Sequence, residues 1–213
     1  MGIEKDVTRC KMVRETIGYD KTMMMDSNQI WGVNEAIENM TILAQFKPVW
    51  IEEPTAPDDI LGHKKISESL KQFGIGVATG EHGQNRIWHK QMCQLNAYNF
   101  CQTDPCRLGG FNEVIIVLLL ARKHNIPVCL HTGGVGLCEL GIHASVFDYL
   151  NVAPVHENRW CEYVDSLHEH FVYPTKISNG NYVLPQNYGI GLDLKKESIA
   201  EYTFPNGSYW KSK

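Results

Sequence analysis

Between residues 22 and 81 the chain carries Thr22-Met23-Met24-Met25-Asp26, then Val49-Trp50-Ile51-Glu52, then Ile75-Gly76-Val77-Ala78-Thr79-Gly80-Glu81. Each run is short and largely apolar, and each ends at or just before a carboxylate. The segment between the first and second runs places Ala36, Ile37, Met40, Ile42, Leu43 and Phe46 on one helical face. Between the second and third, Ile60, Ile66, Leu70 and Phe73 make another. Asp58 or Asp59 supplies a start for the second helix, and Gly74 supplies its stop. Strand, helix and strand thus recur at a period of roughly 25–30 residues, the pattern of a parallel sheet of βα units.

The alternation continues outward. Asn99–Asp104, Pro127–His131 and Trp160–Tyr163 are predicted as further strands. Val114–Ala121 is predicted as a buried helix capped by Asn112, and Asp6–Ile17 as a leading helix. An open doubly wound sheet and a closed barrel share this pattern, and the polar residues separate them. Asp26, Glu52, Glu81, Asp104, His131 and Glu162 all stand at the C-terminal ends of successive strands. A barrel gathers such ends at one mouth, whereas an open sheet gathers only those beside its switch point. The expectation is therefore an α/β fold of the TIM-barrel kind over residues 1–167. An irregular tail, 168–213, rich in Gly, Pro and Asn, is expected to pack on the barrel or on a capping region.

Composition narrows the classes of function. A formal charge of −4 with scattered basic residues gives no nucleic-acid footprint. No apolar run approaches the ~18 residues that span a bilayer. The seven cysteines contain no CxxC pair and sit mostly among apolar neighbours, as in Val128-Cys129-Leu130. They read as buried free thiols of a reducing compartment. The expectation is a soluble intracellular protein, mitochondrial or cytoplasmic, with a small-molecule partner, no nucleic acid or membrane, and homo-oligomerisation left open.

Three acids on three consecutive strand ends suit a hard divalent cation. Mg²⁺ takes oxygen ligands in near-octahedral array, commonly a few carboxylates with water and substrate. Adjacent strands lie ~4.8 Å apart, so Asp26, Glu52 and Glu81 can reach one ion. The bland alternative, a solvated helix cap after each strand, weakens when all three occupy equivalent positions. Asp104 and His131 end the next two strands, and an Asp beside a His fixes the imidazole tautomer and makes it a general acid/base. Gly133-Gly134-Val135-Gly136 leaves room for a ligand and opens a helix whose amides face an anion. Glu162 could hydrogen-bond a leaving oxygen; its alternative is a buried ion pair. His168-Glu169-His170 lacks a third ligand, and Ser145 and Ser166 lack a nucleophile-elbow setting.

In order along the chain, Met24-Met25-Asp26-Ser27-Asn28-Gln29, Trp50-Ile51-Glu52-Glu53-Pro54-Thr55, Ala78-Thr79-Gly80-Glu81, Gln102-Thr103-Asp104 and His131-Thr132-Gly133-Gly134-Val135-Gly136 resemble the enolase superfamily. The likeness is to its mandelate-racemase-like acid-sugar dehydratases. Pro57–His63, Glu157-Asn158-Arg159, Cys161–Asp165 and Leu167–Phe171 look like the L-fuconate dehydratase subgroup. The resemblance implies an enolase-type (β/α)7β barrel of which this chain holds strands 3–8. It implies Mg²⁺ on Asp26, Glu52 and Glu81, an Asp104–His131 dyad, and Glu162 as the eighth-strand acid. Asn28 is expected as a polar substrate contact. The implied reaction is dehydration of L-fuconate to its 2-keto-3-deoxy product, through an enediolate.

The chain departs from that pattern at its start. The family carries a catalytic Lys-x-Lys on the second barrel strand, and Met1-Gly2 here stands just after that point. Lys5, Lys11 and Lys21 lie on or after the following helix. The expectation is a truncated or inactive piece of a longer enzyme that also had a capping domain. The competing expectations are another aldonate dehydratase or racemase of the superfamily, and a catalytically dead metal-binding or regulatory protein. Thr132, where relatives carry alanine, is a smaller departure.

Overall fold

The computed structural model describes residues 2–155 and 157–212. Helix α1 (Ile3–Ile17) leads, and four βα units follow: β1 (Met25–Asp26) and α2 (Val33–Leu43), β2 (Trp50–Glu52) and α3 (Ile60–Leu70), β3 (Gly76–Thr79) and α4 (Arg86–Leu95), β4 (Phe100–Cys101) and α5 (Phe111–Lys123). A long helix α6 (Leu137–Asn151) comes next, and the tail carries a hairpin of β5 (Ile177–Ser178) and β6 (Asn181–Tyr182), then α7 (Lys196–Tyr202) and α8 (Ser208–Lys211). The tail is thus partly regular rather than wholly irregular.

The sheet is parallel in the order β1-β2-β3-β4. Its register pairs Asp26 with Glu52 and Glu52 with Ala78, so consecutive C-terminal ends stand side by side. Residues 127–131 extend the ladder: Cys101 bridges Val128 in parallel, and the His131 N–H donates to the Thr103 carbonyl at 3.2 Å. They pair without forming a regular strand. Trp160–Tyr163, predicted as the last strand, forms no ladder among the described residues. Its main chain is held by side chains instead, with the Thr132 hydroxyl donating to the Glu162 carbonyl at 2.6 Å.

Alternation along the strands builds two apolar layers. Ile51, Val77 and Cys101 face outward and join the helices in the main core, with Met40, Ile66, Met92 and Val117. Trp50, Ala78 and Cys129 face inward and form a second cluster with Phe100 and Trp160. Trp50 lies 4.9 Å from Phe100 and 5.4 Å from Trp160, ring centre to ring centre. Residues more than a hundred positions apart can meet on that inner face only if the sheet curls round it.

Local chemistry sets the helix ends. Asp59 caps α3, accepting from the Gly62 N–H at 2.8 Å. Gly74, at φ 70°, ends the short 3₁₀ turn after it. Helix α5 begins two residues ahead of expectation: Gly110 is the cap and Asn112 lies inside the first turn. Arg14 is buried and donates to the carbonyls of Phe46, Gly18, Lys21 and Lys47, satisfying the open ends of α1 and of the turn after α2. Cys10, Cys93, Cys101, Cys129 and Cys138 are buried free thiols, and Cys106 is exposed. No helix among the described residues is long and apolar enough to cross a membrane.

Candidate active site

The inward face of β2 runs from Trp50 at its base to Glu52 at the mouth, two residues on. Glu52 is buried, accepting from the Trp50 indole N–H at 3.3 Å. Burial pushes its carboxyl up to about 7, against the hydrogen bonds from Gln102 and Trp50, and the charges of Asp26 and Glu162 add to the rise. Asp26, on the neighbouring strand, is exposed and accepts from the Asn28 N–H at 2.7 Å. The residue is exposed overall, but its carboxyl faces the mouth and is also raised, by partial desolvation first and then by Glu53, Glu81 and Glu162. Asn28 is exposed, with φ 48°, and meets Asp26 through its main chain.

Glu81 follows β3 and meets an arginine and two histidines. Its carboxylate lies 2.7 Å from Arg107 Nη1, 3.2 Å from His131 Nε2 and 3.4 Å from His82 Nδ1. Gly80, between β3 and Glu81, has φ +145°, and a Cβ there would stand 3.0 Å from the Gln102 carbonyl carbon. Only glycine lets the two strand ends approach so closely. Among the described residues, the group whose donor atoms lie within 4.8 Å of one another is Glu53, Glu81 and His82, not Asp26, Glu52 and Glu81. Asp26 feels the charge of Glu81 and Glu52 that of Asp26, while Glu81 is engaged by Arg107 and two histidines.

The dyad is formed. His131 Nδ1 lies 2.7 Å from Asp104 Oδ2, and both side chains are buried. Burial works against the charged ring, but the Asp104 hydrogen bond and the charges of Glu81, Glu162 and Asp104 overcome it and raise the His131 pKa. Asp104 is lowered despite its burial, by His131, the Cys106 N–H and Arg107. With Nδ1 engaged, Nε2 is the nitrogen left to exchange a proton, and it lies 3.9 Å from Glu162 Oε2. Glu162 accepts from the Thr132 N–H at 2.8 Å. A Cβ on Gly133 would sit 3.1 Å from His131 Nε2 and 3.3 Å from Glu162 Oε2, so this glycine keeps the space between them open.

Four residues here escaped the sequence reading. Glu53 is 2% exposed, binds Gln29 Nε2 through both oxygens at 2.9 Å and holds His82 Nδ1 at 2.6 Å. Arg107 lies across Glu81 and 3.5 Å from Asp104. The tandem Glu52-Glu53 before Pro54 was a usable signal for Glu53, whereas nothing local marked Gln29, His82 or Arg107. His168, read as a weak metal candidate, instead pairs with buried Glu139 at 3.1 Å.

Acids on consecutive strand ends face an Asp-backed histidine across a gap, the arrangement of a candidate acid–base site on a βα barrel. The chain belongs to the enolase C-terminal domain-like family, whose model matches residues 1–198. It is 53% identical to human mitochondrial enolase superfamily member 1, whose crystal structure superposes with a TM-score of 0.95 over 99% of this chain and 48% of that one. It is 47% identical to L-galactonate dehydratase of Hypocrea jecorina, over 98% of this chain and 47% of that protein. L-talarate dehydratase of Polaromonas, solved with Mg and L-glucarate, is 26% identical with a TM-score of 0.78, covering 92% of this chain and 51% of that one. The chain thus spans about half the length of the curated relatives it matches.

Proposed function

We propose that the site belongs to a Mg²⁺-dependent dehydration of an acid sugar, with L-fuconate the leading substrate. The observation that carries this reading is the His131–Asp104 pair facing Glu162 across the space that Gly133 keeps open. The relatives named for L-galactonate and L-talarate dehydration support the substrate class. L-Fuconate is L-galactonate without its 6-hydroxyl, so one pocket for the C1–C3 portion serves both.

The donor set fits a hard divalent cation. Asp26 and Glu52 are both raised, by burial first and then by the charges of neighbouring carboxylates, Glu52 to about 7. Carboxylate oxygens crowded without enough positive charge are a setting that Mg²⁺ relieves. Asp26 and Glu52, with Glu81, would hold it. When bound, Mg²⁺ supplies Lewis-acid stabilisation of the charge that builds on the substrate carboxylate as the α-proton leaves.

The chain's own residues supply the acid side of the reaction, and the α-proton would go to the second-strand lysine that the resemblance implies. Asp104 engages His131 Nδ1, and the raised pKa favours the charged ring, so Nε2 would act as the proton donor. From there the proton passes to the departing β-hydroxyl, which leaves as water. Glu162, tied to the Thr132 amide, presents a carboxylate beside that path. Lys5 and Lys11 lie on an exposed face of α1 and Lys21 lies exposed beyond it, so none of these lysines is the acceptor of the α-proton.

The test is turnover of L-fuconate and L-galactonate, with and without Mg²⁺, by this chain and by a version extended upstream. Formation of the 2-keto-3-deoxy acid, abolished by Glu52→Gln and by removal of Mg²⁺, supports the reading. Exchange of the α-proton without loss of water would instead favour a racemase. No turnover of any acid sugar by either form would leave the non-catalytic metal-binding reading in its place.

A further inference from the structure

Glu162 stands on a segment that forms no strand ladder among the described residues. Three other groups converge on it. The Thr132 N–H donates to its Oε2 at 2.8 Å and the Thr132 hydroxyl to its carbonyl at 2.6 Å. The Tyr182 hydroxyl, from β6 of the tail hairpin, donates to the same carbonyl. Cys138, on α6, holds the next turn of chain, with its Sγ 3.4 Å from both the Val164 nitrogen and the Val164 carbonyl oxygen. The Thr132 side chain is itself fixed: a Cβ on Gly141 would stand 2.2 Å from its methyl, so the bare backbone of α6 at Gly141 is the seat on which the methyl rests. Thr132 is 1% exposed and cannot swing to another partner without leaving that seat.

We infer that Thr132 and Tyr182 are positioning residues for Glu162, and that the tail hairpin is thereby a working part of the site rather than a wrapping. A strand-end acid is normally placed by the hydrogen bonds of its strand to both neighbours. Residues 160–163 lack such pairing among the described residues, so two side-chain hydroxyls on one carbonyl take over the task. The carbonyl and the carboxylate of Glu162 are then fixed together, one by hydroxyls and one by an amide, which sets the distance from Oε2 to His131 Nε2. Both hydroxyls bond the main-chain carbonyl of Glu162 rather than its carboxylate, so both act through Glu162.

The catalytic consequence rests on the dehydratase reading, whereas the clamp itself does not. Two readouts keep them apart. The first is amide hydrogen exchange at residues 161–164 in the full chain. Tyr182→Phe and Thr132→Val each remove one hydroxyl at nearly constant shape, and each is expected to speed exchange there by about five- to tenfold, leaving α4 and α5 unchanged. The second is steady-state dehydration in whichever form turns over. Both variants are expected to lower kcat by about tenfold with KM nearly unchanged, and Thr132→Ser, which keeps the hydroxyl, is expected to restore it. Unchanged exchange at 161–164 in both variants overturns the clamp whatever the activity shows. Faster exchange without any fall in kcat overturns the positioning role. If no form dehydrates an acid sugar, the dehydratase reading fails and exchange alone decides whether the hairpin holds Glu162.

Discussion

Replacing Glu52 by Gln tests the electrostatics of the mouth without any assumption about turnover. The side chain is 7% exposed, and its carboxyl is raised from an ordinary 4.5 to about 7. Between those values the folded protein holds a proton that the unfolded chain has released. Stability therefore falls as pH rises through that window, and the full penalty stands above it. The interval is worth about 3 kcal/mol. Gln keeps the size and can still accept from the Trp50 indole, but it carries no charge. In EDTA-treated protein, urea unfolding at intervals from pH 4.5 to 8.5 is expected to show Glu52→Gln close to wild type at the acid end. By pH 8 the variant should be more stable by about 3 kcal/mol. Saturating Mg²⁺ should stabilise wild type and not the variant, narrowing or reversing that gap. A stability difference that stays flat across the range would refute the claim that Glu52 is held uncomfortably among Asp26 and Glu162.

Three further outcomes follow from other contacts. Asp104→Asn removes the partner that raises the His131 pKa, so the ring should titrate at lower pH, as read from its NMR signals; an unmoved titration would take Asp104 out of the dyad. For the wild type, this raised pKa means a stabilising contribution that is complete below the ordinary 6.5 and lost as pH rises through the folded value. Gly141→Ala should lower stability by about 2 kcal/mol through its clash with the Thr132 methyl, and a Thr132→Ser background, which lacks that methyl, should abolish the loss. Arg159→Ala leaves Asp148, which is 2% exposed, without its cation and should cost about 3 kcal/mol in urea unfolding; a change within 0.5 kcal/mol would mean that water already serves Asp148.

Much of this molecule could be read from its sequence because βα units advertise their strand ends. Asp26 and Glu52 emerge as register neighbours since an apolar run followed by an acid marks both strand and exit. The Asp104–His131 pair was legible for the same reason. What escaped depends on pairings distant in sequence. Glu53 turns at φ 42° away from the path of Glu52 and is buried by Gln29 and His82, 24 and 29 residues away along the chain, which no local pattern encodes. Helix α4 was not singled out because its buried stripe includes His89, fully buried among Met92 and Cys93, so the apolar period is interrupted. The strand expected at Trp160–Tyr163 has the right composition, but a strand needs a partner main chain, and here side chains of Thr132 and Tyr182 fill that place.

The central claim is that the acids of the mouth form one Mg²⁺ site, and calorimetric titration of metal-free protein with Mg²⁺ tests it most directly. Wild type is expected to bind one ion, Asp26→Asn and Glu52→Gln to lose most of that affinity, and Glu53→Gln to keep it. Binding that survives both Asp26→Asn and Glu52→Gln but vanishes with Glu53→Gln would move the ion to the Glu53–Glu81–His82 group, and no binding by wild type would contradict the account outright.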